Sequence, residues 1–218
     1  MSRRPVGTKT TTTTASKGNR IIEVLAVVLL GIATIGTAWC GYQASRWNGR
    51  EGDLTRDSAI VQTEAARLFG LATQTVSYDS NIFAQYAQAA SAGDQGLMAL
   101  YRQSLVRPAM LPLLDQWEQQ VRAGEAPTNL LQDKRYLAAQ TEPYEAEVAK
   151  AGAIVVASGE AGDHADAYVL TTLLLAAALF FSGLTTSFRV RLARVMLLGA
   201  ASLTIAYAAS RLIDLPIA

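Results

Sequence analysis

Three stretches of this 218-residue chain are apolar over a bilayer's depth and nearly free of charge. Residues 21–39, IIEVLAVVLLGIATIGTAW, hold one charged side chain, Glu23. Residues 167–188 hold none, and residues 195–213 hold only Arg211. A helix of about 20 residues crosses a hydrocarbon core of roughly 30 Å. Backbone amides in lipid must be paired within their own segment, so such spans are helical. The expected fold class is an all-α membrane protein with three transmembrane helices and a helical extracytoplasmic hairpin inserted between the first and second. The alternative, core helices of a soluble protein, fits less well, because such helices are usually shorter and flanked by amphipathic neighbours.

Charge assigns the sides. Arg3, Arg4, Lys9, Lys17 and Arg20 precede the first span, and Arg189, Arg191 and Arg194 lie between the second and third, with no acid in either flank. Positive flanks stay in the cytoplasm. Residues 40–166 carry 10 basic against 16 acidic side chains, which places them outside. The expected organisation is a Thr-rich, basic cytoplasmic tail over 1–20, which lacks the apolar residues to build a core. A span over 21–39, an outer helical domain over 40–166, a span over 167–188, a basic loop over 189–194, a span over 195–213 and a short outer tail over 214–218 follow. Trp39, Tyr42, Trp47 and Tyr168, with Arg211, are expected as interfacial anchors. A cleaved signal peptide ending near Ala38 is the rival reading of the first span. Its apolar run is longer than a usual signal core, and Trp39 stands where a lipoprotein signal needs a small residue, so an uncleaved anchor is expected.

The outer segment has helical periodicity. Val61, Ala65, Leu68, Ala72, Val76, Ile82, Phe83 and Tyr86 recur at steps of mostly three or four, predicting a helix over 53–90, loosened at Gly70 and broken over 91–96. Shorter helices are expected over 97–105 and 109–122, the latter ended by Gly124. Residues 125–129 read as a loop, and a helix from Tyr136 runs on into the second span. Small residues at fourfold spacing, Ala33-Thr37-Gly41 and Gly36-Cys40-Ala44 in the first span, mark packing faces. Ala200-Thr204-Ala208 and Ser202-Ala206-Ser210 do the same in the third.

The runs TAWCGYQASRWNG (37–49), RPAMLPLLDQW (107–117) and DAYVLTTLLLAAALFFSG (166–183) together resemble a family of bacterial three-span inner-membrane proteins with no established activity. The YQAxRWxG-like pattern after the first span carries most of the likeness, with Cys40-Gly41 where relatives have a small polar pair. The resemblance implies the one-span, helical-insert, two-span layout and a home in the bacterial inner membrane. It transfers no catalytic residue.

Chemistry is sparse. Charged residues are 17% of the chain, against about 25% for an average soluble domain, and the net charge is only +1. A strongly basic nucleic-acid binder is excluded, and one cysteine makes no intramolecular disulfide. Glu160 and His164 share a helix face with Asp163 and Asp166 nearby, but His164 is the single histidine, so the cluster reads as a hydrated polar patch and no metal or cofactor is expected. Cys40 and His164 lack an orienting motif, and no phosphate loop is present, so the chain reads as not an enzyme. The expected function is a non-catalytic scaffold or accessory subunit acting in the lipid bilayer, by self-association into a homo-oligomer or as a subunit of a larger membrane complex. A homo-oligomeric channel lined by Thr34, Thr37 and Gly36 is the alternative. A sensor would lack a cytoplasmic output domain.

Overall fold

The computed structural model describes residues 17–126, 132–188 and 190–218, with side chains from Arg20 onward. The Thr-rich tail, part of the expected 125–129 loop, and Arg189 lie outside the described residues. Regular structure among the described residues is entirely helical: α1 (Lys17–Ala92), α2 (Gln95–Leu100), α3 (Leu111–Ala123), α4 (Lys134–Ser187) and α5 (Arg191–Asp214). Three of them, α1, α4 and α5, are long and apolar enough to cross a membrane. The first span is no separate element, because α1 runs on for 76 residues and passes Gly70 without a break. Likewise α5 begins at Arg191, so Arg191 and Arg194 belong to its first turns and not to a loop.

Helix ends follow local chemistry. Gly93 (φ 71°) and Gly124 (φ 73°) take the left-handed conformation that closes α1 and α3, where a side chain would be strained. At Gly93 the Asp94 N–H reaches back to the Ala89 carbonyl (3.0 Å), and Asp94 then caps α2 by accepting from the Leu97 N–H (2.9 Å). Tyr101–Leu105 widens into one π-helical turn, in place of the α-helix expected through Leu105. Asp133 accepts from the N–H groups of Arg135 and Tyr136, both at 2.9 Å, and so starts α4.

The chain forms two compact units. One takes in Ser158–Ala218 with the described residues up to Gly52; the other is Asp53–Ala157. In the first, buried positions on α1 are Ile22, Ala26, Ala33, Cys40, Gln43, Ala44 and Trp47, and on α4 Ser158, Ala161, Ala165, Tyr168, Thr171, Leu175, Ala178, Ser182 and Thr185. Most of these positions repeat at steps of three, four or seven, the seam of a coiled coil. The partners run antiparallel: Leu175 lies against Gly36, His164 against Trp47, and Ser158 donates to the Glu51 carbonyl (3.2 Å). A Cβ on Gly36 would stand 2.9 Å from the Leu175 Cδ1, so the glycine sets how closely these helices approach.

That spacing explains where the expected packing faces differ. Each four-residue step advances about 40° around a helix, so a strict fourfold row drifts off the seam. Ala33 and Cys40 are fully buried and Thr37 partly, but Gly41 is exposed with nothing near its Cα. On α5 the buried residues are Ala201 and Ala208, while Ala200 and Thr204 are half-buried and Ser202, Ala206 and Ser210 are exposed.

The second unit is cored by Tyr86, Leu114 and Trp117, with Phe83, Met98 and Val106 around them. Phe83 and Tyr86 both meet Trp117 edge-on, at 5.5 and 6.2 Å between centroids.

Gly36→Leu should lower the thermal midpoint of the purified protein by an overpacking cost of about 1–3 kcal/mol. Adding Leu175→Ala should return most of it, and Gly41→Ala should leave the midpoint unchanged.

Candidate functional site

Polar side chains that reach the interior are the places where this chain could do more than pack, since each must be partnered to be tolerated. In the first unit one group of them lies where the run 37–49 meets the start of the second apolar stretch, while Ser158, Ser182 and Thr185 are buried elsewhere along α4. Gln43 (1% exposed), Trp47 and Tyr168 (1%) are all buried. The Trp47 indole N–H and the Tyr168 hydroxyl both donate to the Pro216 carbonyl, each at 3.1 Å. The Ala218 N–H donates to the Gln43 Oε1 at 3.2 Å. The Trp47 ring also stacks on His164 at 4.7 Å and carries the Arg50 guanidinium 5.4 Å from its centroid.

Of the expected anchors, then, Trp39 and Tyr42 are exposed and touch each other at 6.0 Å, and Arg211 is exposed. Trp47 and Tyr168 are turned into the protein, where both donate to the Pro216 carbonyl. Glu23 is paired by Arg194 at 3.6 Å, and the same arginine donates to the Phe188 carbonyl. Glu23 therefore has a partner on α5.

The second unit holds two arginine–carboxylate–tyrosine networks, one around the buried Asp79 and one, around Glu118, only partly buried. Asp79 is 2% exposed on the core side of α1. Arg107 grips it with Nε at 2.9 Å and a terminal nitrogen at 2.5 Å, and the Tyr136 hydroxyl donates to it at 2.7 Å. Arg102 bridges Asp115 and Glu118, and Tyr86 donates to the same Glu118 oxygen. Burial, then the hydrogen bond to Glu118, pushes the Tyr86 hydroxyl up to about 12. Burial and Asp79 push Tyr136 up in the same way, and the carboxylates hold both guanidiniums above their usual range. Each arginine donates to carboxylates carried by other elements, so these networks join helices. The recess beside Asp79, walled by Phe83, Met110 and Leu114, has room for about one water molecule.

Another feature of this unit is an open apolar groove of about 490 Å³. Ala65, Ala66, Phe69, Tyr144, Val148 and Val155 are among the residues that line it, with Phe69 and Tyr144 edge-on at 5.3 Å. Phe69, Val148 and Val155 are each at least half exposed. No group of three or more His, Cys, Asp or Glu side chains with metal-ligand geometry occurs among the described residues.

Asp79, Arg107, Tyr136, Arg102 and Gln43 were missed by sequence reading. A signal existed for Asp79, which lies seven residues from both Ala72 and Tyr86 and so occupies a core position of an apolar stripe. Its arginine is 28 residues away in the chain, and nothing in the sequence pairs them.

Compared with protein-family models, curated proteins and solved structures, the chain matches none.

Arg107→Ala should destabilise the protein by roughly 2–4 kcal/mol in denaturant unfolding, less than for a wholly buried pair because Arg107 keeps a third of its side chain in water. Asp79→Asn beside it should recover part of that loss. Tyr86 is raised in the folded state, so its contribution is complete below its ordinary value of 10 and fades as pH climbs towards about 12. Unfolding titrations should therefore lose stability across that window, and Tyr86→Phe should flatten the fall, leaving the Tyr136 part.

Proposed function

We propose that this chain is a non-catalytic, multi-pass scaffold or accessory subunit of a bacterial inner membrane. Its amino terminus faces the cytoplasm, and residues 40–166 form an outer helical hairpin that associates with other proteins. The observation that carries the reading is the contrast within the second unit. Its arginines Arg102 and Arg107 pair with carboxylates of the same unit, while an apolar groove with exposed Phe69, Val148 and Val155 stays open to its surroundings. Open apolar surface of this kind, on a segment rich in acidic side chains, marks an association surface.

Support for the topology comes from both ends of the first unit. The Glu23–Arg194 pair draws the starts of α1 and α5 together, as two cytoplasmic ends should be. The bonds from Gln43 and Trp47 bring the segment after α5 beside the residues that follow the first span. A channel has less support. Thr34 and Thr37 each donate to their own backbone, at 2.8 Å to the Leu30 and Ala33 carbonyls, and Gly36 is covered by Leu175, so the first span offers no continuous polar stripe.

The test is the mass of the particle in nanodiscs, with any co-purifying protein identified. A homo-oligomer or a stoichiometric second protein is expected. Ala66→Arg, placed in the exposed groove, should disperse that assembly while the helical content and thermal midpoint are retained. A bare monomer with no partner would overturn the proposal.

A further inference from the structure

The segment after α5 is extended and short, yet three buried side chains from two other helices bond its main chain. Helix α5 has little else to hold it. Its only buried residues are Ala201 and Ala208, and just 11% of its most apolar stretch is covered by protein, against 28% for α4. In lipid, apolar contact between helices gains nothing over contact with acyl chains, so α5 depends on close packing and polar bonds. At its start there is one such attachment, Arg194 to Glu23 and to the Phe188 carbonyl. At its end there is the cluster of Gln43, Trp47 and Tyr168.

The geometry points to a peptide-backbone clamp, built by Gln43 and Trp47 of α1 and Tyr168 of α4, whose ligand is the chain's own segment 215–218 and whose occupation latches the end of α5. The clamp reads main-chain atoms. Two donors share the Pro216 carbonyl, and Gln43 accepts from the Ala218 N–H. The Ile217 side chain is 72% exposed and takes no part in recognition. Leaving the clamp costs the bonds of an indole N–H, a phenol and an amide together, so the segment departs as a unit and not bond by bond. This role is independent of whether the second unit associates with anything.

Amide exchange of the intact protein in nanodiscs tests it. The Ala218 amide should exchange at least about tenfold more slowly than an unstructured amide. The Trp47→Phe/Tyr168→Phe double variant should return it to the unstructured rate, although its own acceptor, Gln43, is untouched. Gln43→Leu should do the same, and Ile217→Ser should change nothing. In the double variant, cleavage by trypsin after Arg211 should rise by roughly tenfold as the end of α5 frays. Continued protection of amides in α1 and α4 separates unlatching from unfolding. If the wild-type Ala218 amide exchanges at the unstructured rate, the clamp does not exist. If the double variant keeps that amide slow while α1 and α4 stay protected, the three side chains do not act as one device.

Discussion

Between helices in a bilayer there is no hydrophobic force, and the first unit is organised around that lack. Water drives apolar side chains together; acyl chains do not. What remains is close approach, which needs small residues, and polar bonds made inside the protein. The buried positions Ala33, Cys40 and Ala44 on α1 and Ala161, Ala165 and Ala178 on α4 are small, and Gly36 admits Leu175 at close approach. Large apolar side chains such as Ile35, Leu173 and Leu203 point outward, an inversion of the order found in a water-soluble core.

The second unit obeys the opposite rule. Its core is aromatic and aliphatic, Tyr86, Leu114 and Trp117, as expected where water supplies the driving force. Short helices cannot cover that core alone, and the arginine networks tie them in. Arg107 joins the turn before α3 to α1, and Tyr136 brings the start of α4 to the same carboxylate. Arg102 binds the π-helical turn to α3. A buried ion pair of this kind adds modest net stability, but loss of one partner is costly, so it fixes which helices meet.

Two physical regimes thus share single helices. Along α1 the packing seam of the first unit gives way to Tyr86 in the aromatic core of the second without any interruption of helical backbone. Caps and left-handed glycines appear only beyond Ala92, where the chain must turn.

By itself the sequence determined the all-helical character, the three apolar stretches and the ends near Gly93 and Gly124, because hydropathy and glycine conformation are local properties. Heptad steps around Asp79 were also there to be read. Only tertiary structure decided that Trp47 and Tyr168 face inward to Pro216, that Arg107 meets Asp79, and that Glu23 meets Arg194. Those partners are 28 to 171 residues apart, and a hydrogen-bonding side chain carries no mark of which distant group will satisfy it.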